Sequence, residues 1–93
     1  MKYVIKNTTQ FKKDLKLMQK QGKNLSLLSD VIKQLADDKT LEDKYKDHAL
    51  SGSFAGCREC HITPDWLLIY EKSETELILY LTRTGSHSNL FQK

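Results

Sequence analysis

The stretch FAGCRECHITPDWLLIYEKSETELILYLTR, residues 54 to 83, holds three apolar runs separated by two short polar interruptions. The first interruption, Thr63-Pro64-Asp65, is a tight turn in which proline's fixed φ suits the second position. The second is Ser73-Glu74-Thr75. Short runs of aliphatic and aromatic residues bounded by turn signals read as strands. The spacing predicts strands over roughly Phe54–Ile62, Trp66–Lys72 and Leu77–Arg83. Two consecutive hairpins make an antiparallel meander, and one face of such a sheet must be covered.

The cover lies upstream. Lys2 to Lys6 reads as a short strand, with Tyr3 and Ile5 on one side and Val4 on the other. Thr8 or Thr9 can cap the helix that follows, whose Phe11, Leu15 and Met18 recur at helical spacing. Gly22 ends it, as a residue tolerant of positive φ should. Asn24 caps a second helix with Leu25, Leu28, Ile32 and Leu35 in one stripe. A connection as short as Gly22-Lys23-Asn24 implies an antiparallel helix hairpin. Residues 37 to 53 are polar and aperiodic and read as a loop. The expectation is one α+β domain over residues 1–93, β-α-α-β-β-β, with a helix hairpin packed on a small antiparallel sheet.

The chain's 93 residues suit a single core, and 39% hydrophobic with 29% charged residues is ordinary for a globular protein. Lys6 interrupts Met1-Lys2-Tyr3-Val4-Ile5 before an export signal could form, and no apolar run is long enough for a bilayer. A cytoplasmic protein is expected. The net charge of +3 says little, but its distribution says more. Lys2, Lys6, Lys12, Lys13, Lys16, Lys20 and Lys23 face the single acid Asp14 across the first quarter of the chain. Lys12, Lys16, Lys20 and Lys23 form a stripe on the first helix, either a solvated face or a surface for a polyanion.

Three histidines occur, His48, His61 and His87. In a meander the end of one strand lies beside the start of the next, and the last strand's end returns to that same edge. His61, Asp65, Trp66, Arg83 and His87 are therefore expected to converge. Such a group suits RNA cleavage without a metal or cofactor. A base takes the proton of the ribose 2′-hydroxyl, an acid protonates the departing 5′-oxygen, and a cation steadies the phosphoryl charge. Imidazole titrates near neutrality and serves either proton-transfer role. Arg83 can grip phosphate oxygens in a bidentate fork. Trp66 or Phe91 could stack on a splayed base. Each residue also has a plainer reading: a surface histidine, a core tryptophan, a turn aspartate or a strand-end charge.

In combination, Lys46-Asp47-His48-Ala49-Leu50-Ser51-Gly52-Ser53, Gly56-Cys57-Arg58, His61 through Tyr70 and Arg83-Thr84-Gly85-Ser86-His87 resemble YafQ-type toxins of the RelE/ParE superfamily. The resemblance spans nearly the whole chain, and it implies a RelE-like fold. It also implies a ribosome-dependent endoribonuclease that cuts messenger RNA in the ribosomal A site and arrests growth. It implies an antitoxin partner of the DinJ type, through which operator DNA is contacted. Its functional positions fall on His48, His61, Asp65, Trp66, Arg83, His87 and Phe91. His87 is implied as general acid, Arg83 as the clamp on the transition state and Phe91 as an RNA-positioning residue. His48, His61 and Asp65 share the base and positioning roles. Lys12, Lys13, Lys16 and Lys20 are then expected to meet ribosomal RNA phosphates.

Cys57-Arg58-Glu59-Cys60-His61 spells Cys-x-x-Cys-His, an attachment signature for c-type haem. Residues three apart on a strand point to opposite faces, so two thioethers could not meet one porphyrin, and the same geometry opposes a redox dithiol or half a zinc site. The cysteines are expected to be small apolar fillers in a reducing compartment. Two other functions compete with the nuclease. One is a contact inhibitor of DNA gyrase in the manner of ParE toxins, and the other is a ribosome- or RNA-binding module without catalysis. Neither needs acid–base residues.

Overall fold

A computed structural model describes residues 1–91. It contains strand β1 (Val4–Asn7), helices α1 (Thr9–Lys20) and α2 (Leu25–Ala36) and strand β2 (His48–Ala49). Strands β3 (Arg58–Thr63), β4 (Trp66–Ser73) and β5 (Ile78–Gly85) follow, and helix α3 (His87–Phe91) closes the described chain. The Thr8 side chain accepts from the Phe11 N–H at 2.9 Å and caps α1. Asn24 accepts from the Ser26 N–H and caps α2. Gly22, at φ +74°, supplies the left-handed residue that ends α1.

The sheet has the order β1-β5-β4-β3-β2. The meander β3-β4-β5 is antiparallel as expected, but β1 joins β5 in parallel, pairing Val4 with Ile78 through Asn7 with Leu81. The sheet is therefore mixed. Alternation along a strand fixes which side chains point inward but not which neighbour the strand takes, so the parallel pairing was invisible to it.

Three further differences have local causes. The third strand begins at Arg58, because Gly52–Phe54 is a 3-10 turn and Gly56, at φ +91°, redirects the chain. Within the polar loop, residues His48 and Ala49 pair with Glu59 and Arg58 as a two-residue edge strand, too short to show a period. Helix α3 was missed for the same reason. Its capping pattern is reciprocal, with Ser86 Oγ accepting from the Asn89 N–H and donating to Asn89 Oδ1.

The main core lies between α1, α2 and one face of the sheet, where Phe11, Met18, Leu35, Trp66, Tyr70 and Leu79 are almost fully buried. A smaller cluster, Cys57, Leu67, Ile69 and Leu90, occupies the other face beneath Phe54 and Phe91. Cys60 belongs to the main core and Cys57 to the small one, so the two thiols sit on opposite sides of the sheet. They fill apolar space, and no common ligand can reach both. Among the described residues no helix is long and apolar enough to cross a membrane.

Burial pushes the Cys60 thiol up to about 12 and raises that of Cys57 as well. Thiolate is the reactive form, so both should resist alkylation at neutral pH. Iodoacetamide is expected to label neither cysteine in the native protein while labelling both in urea, with Cys57 the first to react as urea rises. Rapid native labelling of Cys60, followed by mass spectrometry, would contradict this packing.

Candidate active site

Alternation in β3 places Glu59 and His61 on one face and Cys60 and Ile62 on the other. Register then builds a row across the sheet: His48 pairs with Glu59, Glu59 with Ile69, and Ile69 with Arg83. The next row on that face runs from His61 to Leu67 to Gly85. Neighbouring strands lie about 4.8 Å apart, so the backbones of Glu59 and Arg83 are about 10 Å from one another.

Glu59 is the hub of this face. It is only 5% exposed, and its Oε1 lies 3.6 Å from Nε2 of His48 and 3.6 Å from Nε2 of His61. His48 is further fixed by its other nitrogen, since Nδ1 is 2.7 Å from the Lys46 carbonyl oxygen. A carbonyl only accepts, so that bond puts a proton on Nδ1 and aims Nε2 at Glu59. Lys46 adopts the left-handed conformation, φ 50° and ψ 43°, in the turn that leads into His48. Asp47 anchors the same loop to the sheet by accepting from the Tyr70 hydroxyl at 2.7 Å and from Arg58 Nε at 3.2 Å. Burial raises the Tyr70 pKa, and the bond to Asp47 raises it further, so the phenol stays a neutral donor.

Arg83 is held from α1. Where β1 ends at Asn7, α1 takes over the edge of β5: the Thr8 N–H donates to the Leu81 carbonyl and the Thr8 hydroxyl to that of Thr82. Six residues on, Asp14 accepts from Arg83 Nε at 2.8 Å, from Arg83 Nη2 at 3.1 Å and from the Thr84 N–H at 3.1 Å. Its carboxylate also accepts from Gln10. Two of the three guanidinium nitrogens are thus committed to a buried carboxylate. Among the described residues Nη1 has no hydrogen-bond partner.

The remaining residues fall into two groups. Asp65 is exposed on the turn before β4, two residues ahead of Leu67. His87 is exposed two residues after Gly85, which pairs with Leu67, so both stand at the same end of the sheet. The His87 ring packs on Phe91 with centroids 4.8 Å apart, and Phe91 meets Phe54 edge-on at 5.8 Å. Lys12, Lys13, Lys16 and Lys20 are all exposed on α1.

Trp66 departs from its expected role. It is 1% exposed, and its indole N–H donates to Thr84 Oγ1 at 2.9 Å. A ring enclosed by the main core presents no face to a nucleobase, so Trp66 is not a base platform. It steadies Thr84, the neighbour of Arg83, whose hydroxyl donates in turn to the Leu67 carbonyl. Sequence reasoning also overlooked Glu59 and Asp14, although Glu59 stands two residues from His61 on one strand and so shares its face.

Three comparisons bear on this arrangement. The family model for the bacterial toxin of type II toxin–antitoxin systems, YafQ, matches residues 3–92. The chain is 41% identical over 88 residues to the mRNA interferase toxin YafQ of Escherichia coli strain K12, covering 94% of each chain. A metal-bound toxin from Helicobacter pylori is similar in structure, with a TM-score of 0.90 and 46% identity over 96% of this chain and 99% of that one. The E. coli DinJ–YafQ complex matches with a TM-score of 0.88 and 39% identity, over 96% of this chain and 98% of that one. Among the described residues no three His, Cys, Asp or Glu side chains are grouped so as to hold a metal ion. The agreement runs through sequence, fold and nearly full length, and the chain belongs to the YafQ family of bacterial type II toxin–antitoxin toxins.

Proposed function

We propose that this protein is an mRNA interferase, a toxin that cuts messenger RNA in the ribosomal A site by proton transfer and thereby stops translation in the cytoplasm. The observation that carries this reading is the Glu59 carboxylate standing between two imidazoles, with Arg83 in the same cross-strand row. A contact inhibitor has no use for that arrangement.

The chemistry follows from the donors and acceptors. With its proton held on Nδ1, His48 offers the Nε2 lone pair to the ribose 2′-hydroxyl, and Glu59 steadies the imidazolium that results. His61 shares Glu59 and helps hold the nucleophile. Asp65 orients the strand at the turn. The free Nη1 edge of Arg83 meets the phosphoryl oxygens as charge grows on them. His87 protonates the leaving 5′-oxygen, and Phe91 holds both that imidazole and the RNA. Lys12, Lys13, Lys16 and Lys20 bind ribosomal RNA phosphates, so ribosome affinity should fall steeply with salt. The E. coli relative is complexed with DinJ, and an antitoxin of that kind is the expected partner here, contacting operator DNA on the pair's behalf.

The direct test adds the purified chain to ribosomes programmed with a defined messenger, and in parallel to a gyrase supercoiling assay. The messenger should be cut while supercoiling proceeds. Blocked supercoiling with an intact messenger would overturn the reading in favour of a ParE-like inhibitor.

A further inference from the structure

We propose that the cleft beside His61 is a subsite for one nucleotide of the RNA strand, next to the bond being cut. The proposal rests on the nuclease reading above and adds where the neighbouring nucleotide sits. The cleft has a volume of about 580 Å³ and is lined by Leu27, Lys44, Tyr45 and Lys46 together with residues 61–64. That volume falls within the roughly 300–1,000 Å³ of small-ligand pockets.

Its chemistry fits single-stranded RNA. Leu27, Ile62 and Pro64 offer an apolar surface for a base, and Lys44 and Lys46 offer cations for its phosphate. The Lys44 ammonium already rests 5.1 Å from the centre of the Tyr45 ring, which sets it at the cleft wall. Glu42 and Asp43 precede these residues in the chain but do not line the cleft. The backbone contributes as well. Strand β2 pairs only with Arg58 and Glu59, so the edge of β3 beyond Glu59 has no strand partner among the described residues. Unpaired strand edges present N–H and C=O groups that can meet a base edge.

Lys46 ties the cleft to the reaction. Its left-handed backbone delivers its carbonyl to His48 Nδ1, and the same residue lines the cleft. His61 both lines the cleft and shares Glu59 with His48. A nucleotide seated here is therefore registered against the two imidazoles, and fixing the strand beside the scissile bond is what brings a 2′-hydroxyl into line.

Two variants test this without disturbing the core. Leu27 is 41% exposed, so Leu27→Trp fills the cleft from outside. Lys44→Ala with Lys46→Gly removes both cations, and glycine keeps the left-handed backbone that serves His48. The probe is a fully 2′-O-methylated messenger, which has no free nucleophile, on programmed ribosomes, with vacant ribosomes as reference. Each variant is expected to melt like the wild type and to lose about tenfold in affinity for programmed ribosomes only, the scale of one lost base contact. Wild-type affinity in both variants would overturn the subsite, and so would weakened antitoxin binding with RNA affinity unchanged, which would make the cleft a protein-docking surface. The parent reading fails separately: a chain that binds the methylated messenger through the cleft yet leaves an all-ribose messenger intact has the subsite but not the nuclease.

Discussion

The Asp14→Ala protein should lose about 3 kcal/mol of stability in urea unfolding, the low end for breaking a buried ion pair. The low end applies because Arg83 keeps 24% of its side chain exposed and can recover some hydration, whereas Asp14 keeps only 8%. The loss has three parts. Arg83 gives up a bidentate partner, the buried Thr84 N–H is left without an acceptor, and α1 loses its grip on the edge of β5. Messenger cleavage should fall with it, because a released guanidinium no longer presents Nη1 alone. A second variant separates the two effects. Asp14→Leu combined with Arg83→Leu replaces the pair by apolar groups, which should restore part of the stability, the Thr84 N–H still lacking its acceptor, and it should still cut nothing. A loss under about 1 kcal/mol for Asp14→Ala would reduce the contact to a surface pair.

His87→Ala should slow single-turnover cleavage at least hundredfold, within the ~10²–10⁴ that a positioned acid contributes. His87 is exposed at the start of α3 and belongs to neither buried cluster, so folding should survive its removal, and antitoxin binding is expected to survive as well. Sulfur in place of the bridging 5′-oxygen leaves without needing a proton. Such a messenger should restore most of the rate to His87→Ala and little to His48→Ala, because only the former lacks its acid. Equal rescue of both variants would remove His87 from that role, and full toxicity in His87→Ala would favour inhibition by contact.

The fold was legible wherever local chemistry repeats. Thr63-Pro64-Asp65 and the runs around it located the meander, and Thr8 and Asn24 located the helix starts. The parallel place of β1 was not legible, because it depends on which edge the helix pair leaves open. Strand β2 and helix α3 are shorter than the period that would reveal them.

In the site, residue types pointed to His48, His61 and Arg83, but their partners were hidden by other patterns. Glu59 was read inside the Cys-x-x-Cys-His string, although its offset from His61 puts both on one face. Asp14 was counted as the lone acid among lysines. Its position, three residues after Phe11 and four before Met18, lies on the buried stripe of α1, where a charge needs a partner. Trp66 shows the opposite error, an aromatic side chain taken for a base platform when its indole N–H had a buried hydroxyl to meet.

Cleavage by this route requires an imidazole to draw the proton from a 2′-hydroxyl so that the RNA attacks itself. End-group analysis of messenger cut by the purified chain on programmed ribosomes tests this most directly. Upstream fragments should end in a 2′,3′-cyclic phosphate, or the 3′-phosphate it opens to, and downstream fragments should begin with a 5′-hydroxyl. Fragments ending in 3′-hydroxyl and beginning with 5′-phosphate would mean that water, not the ribose, attacks, and would contradict it.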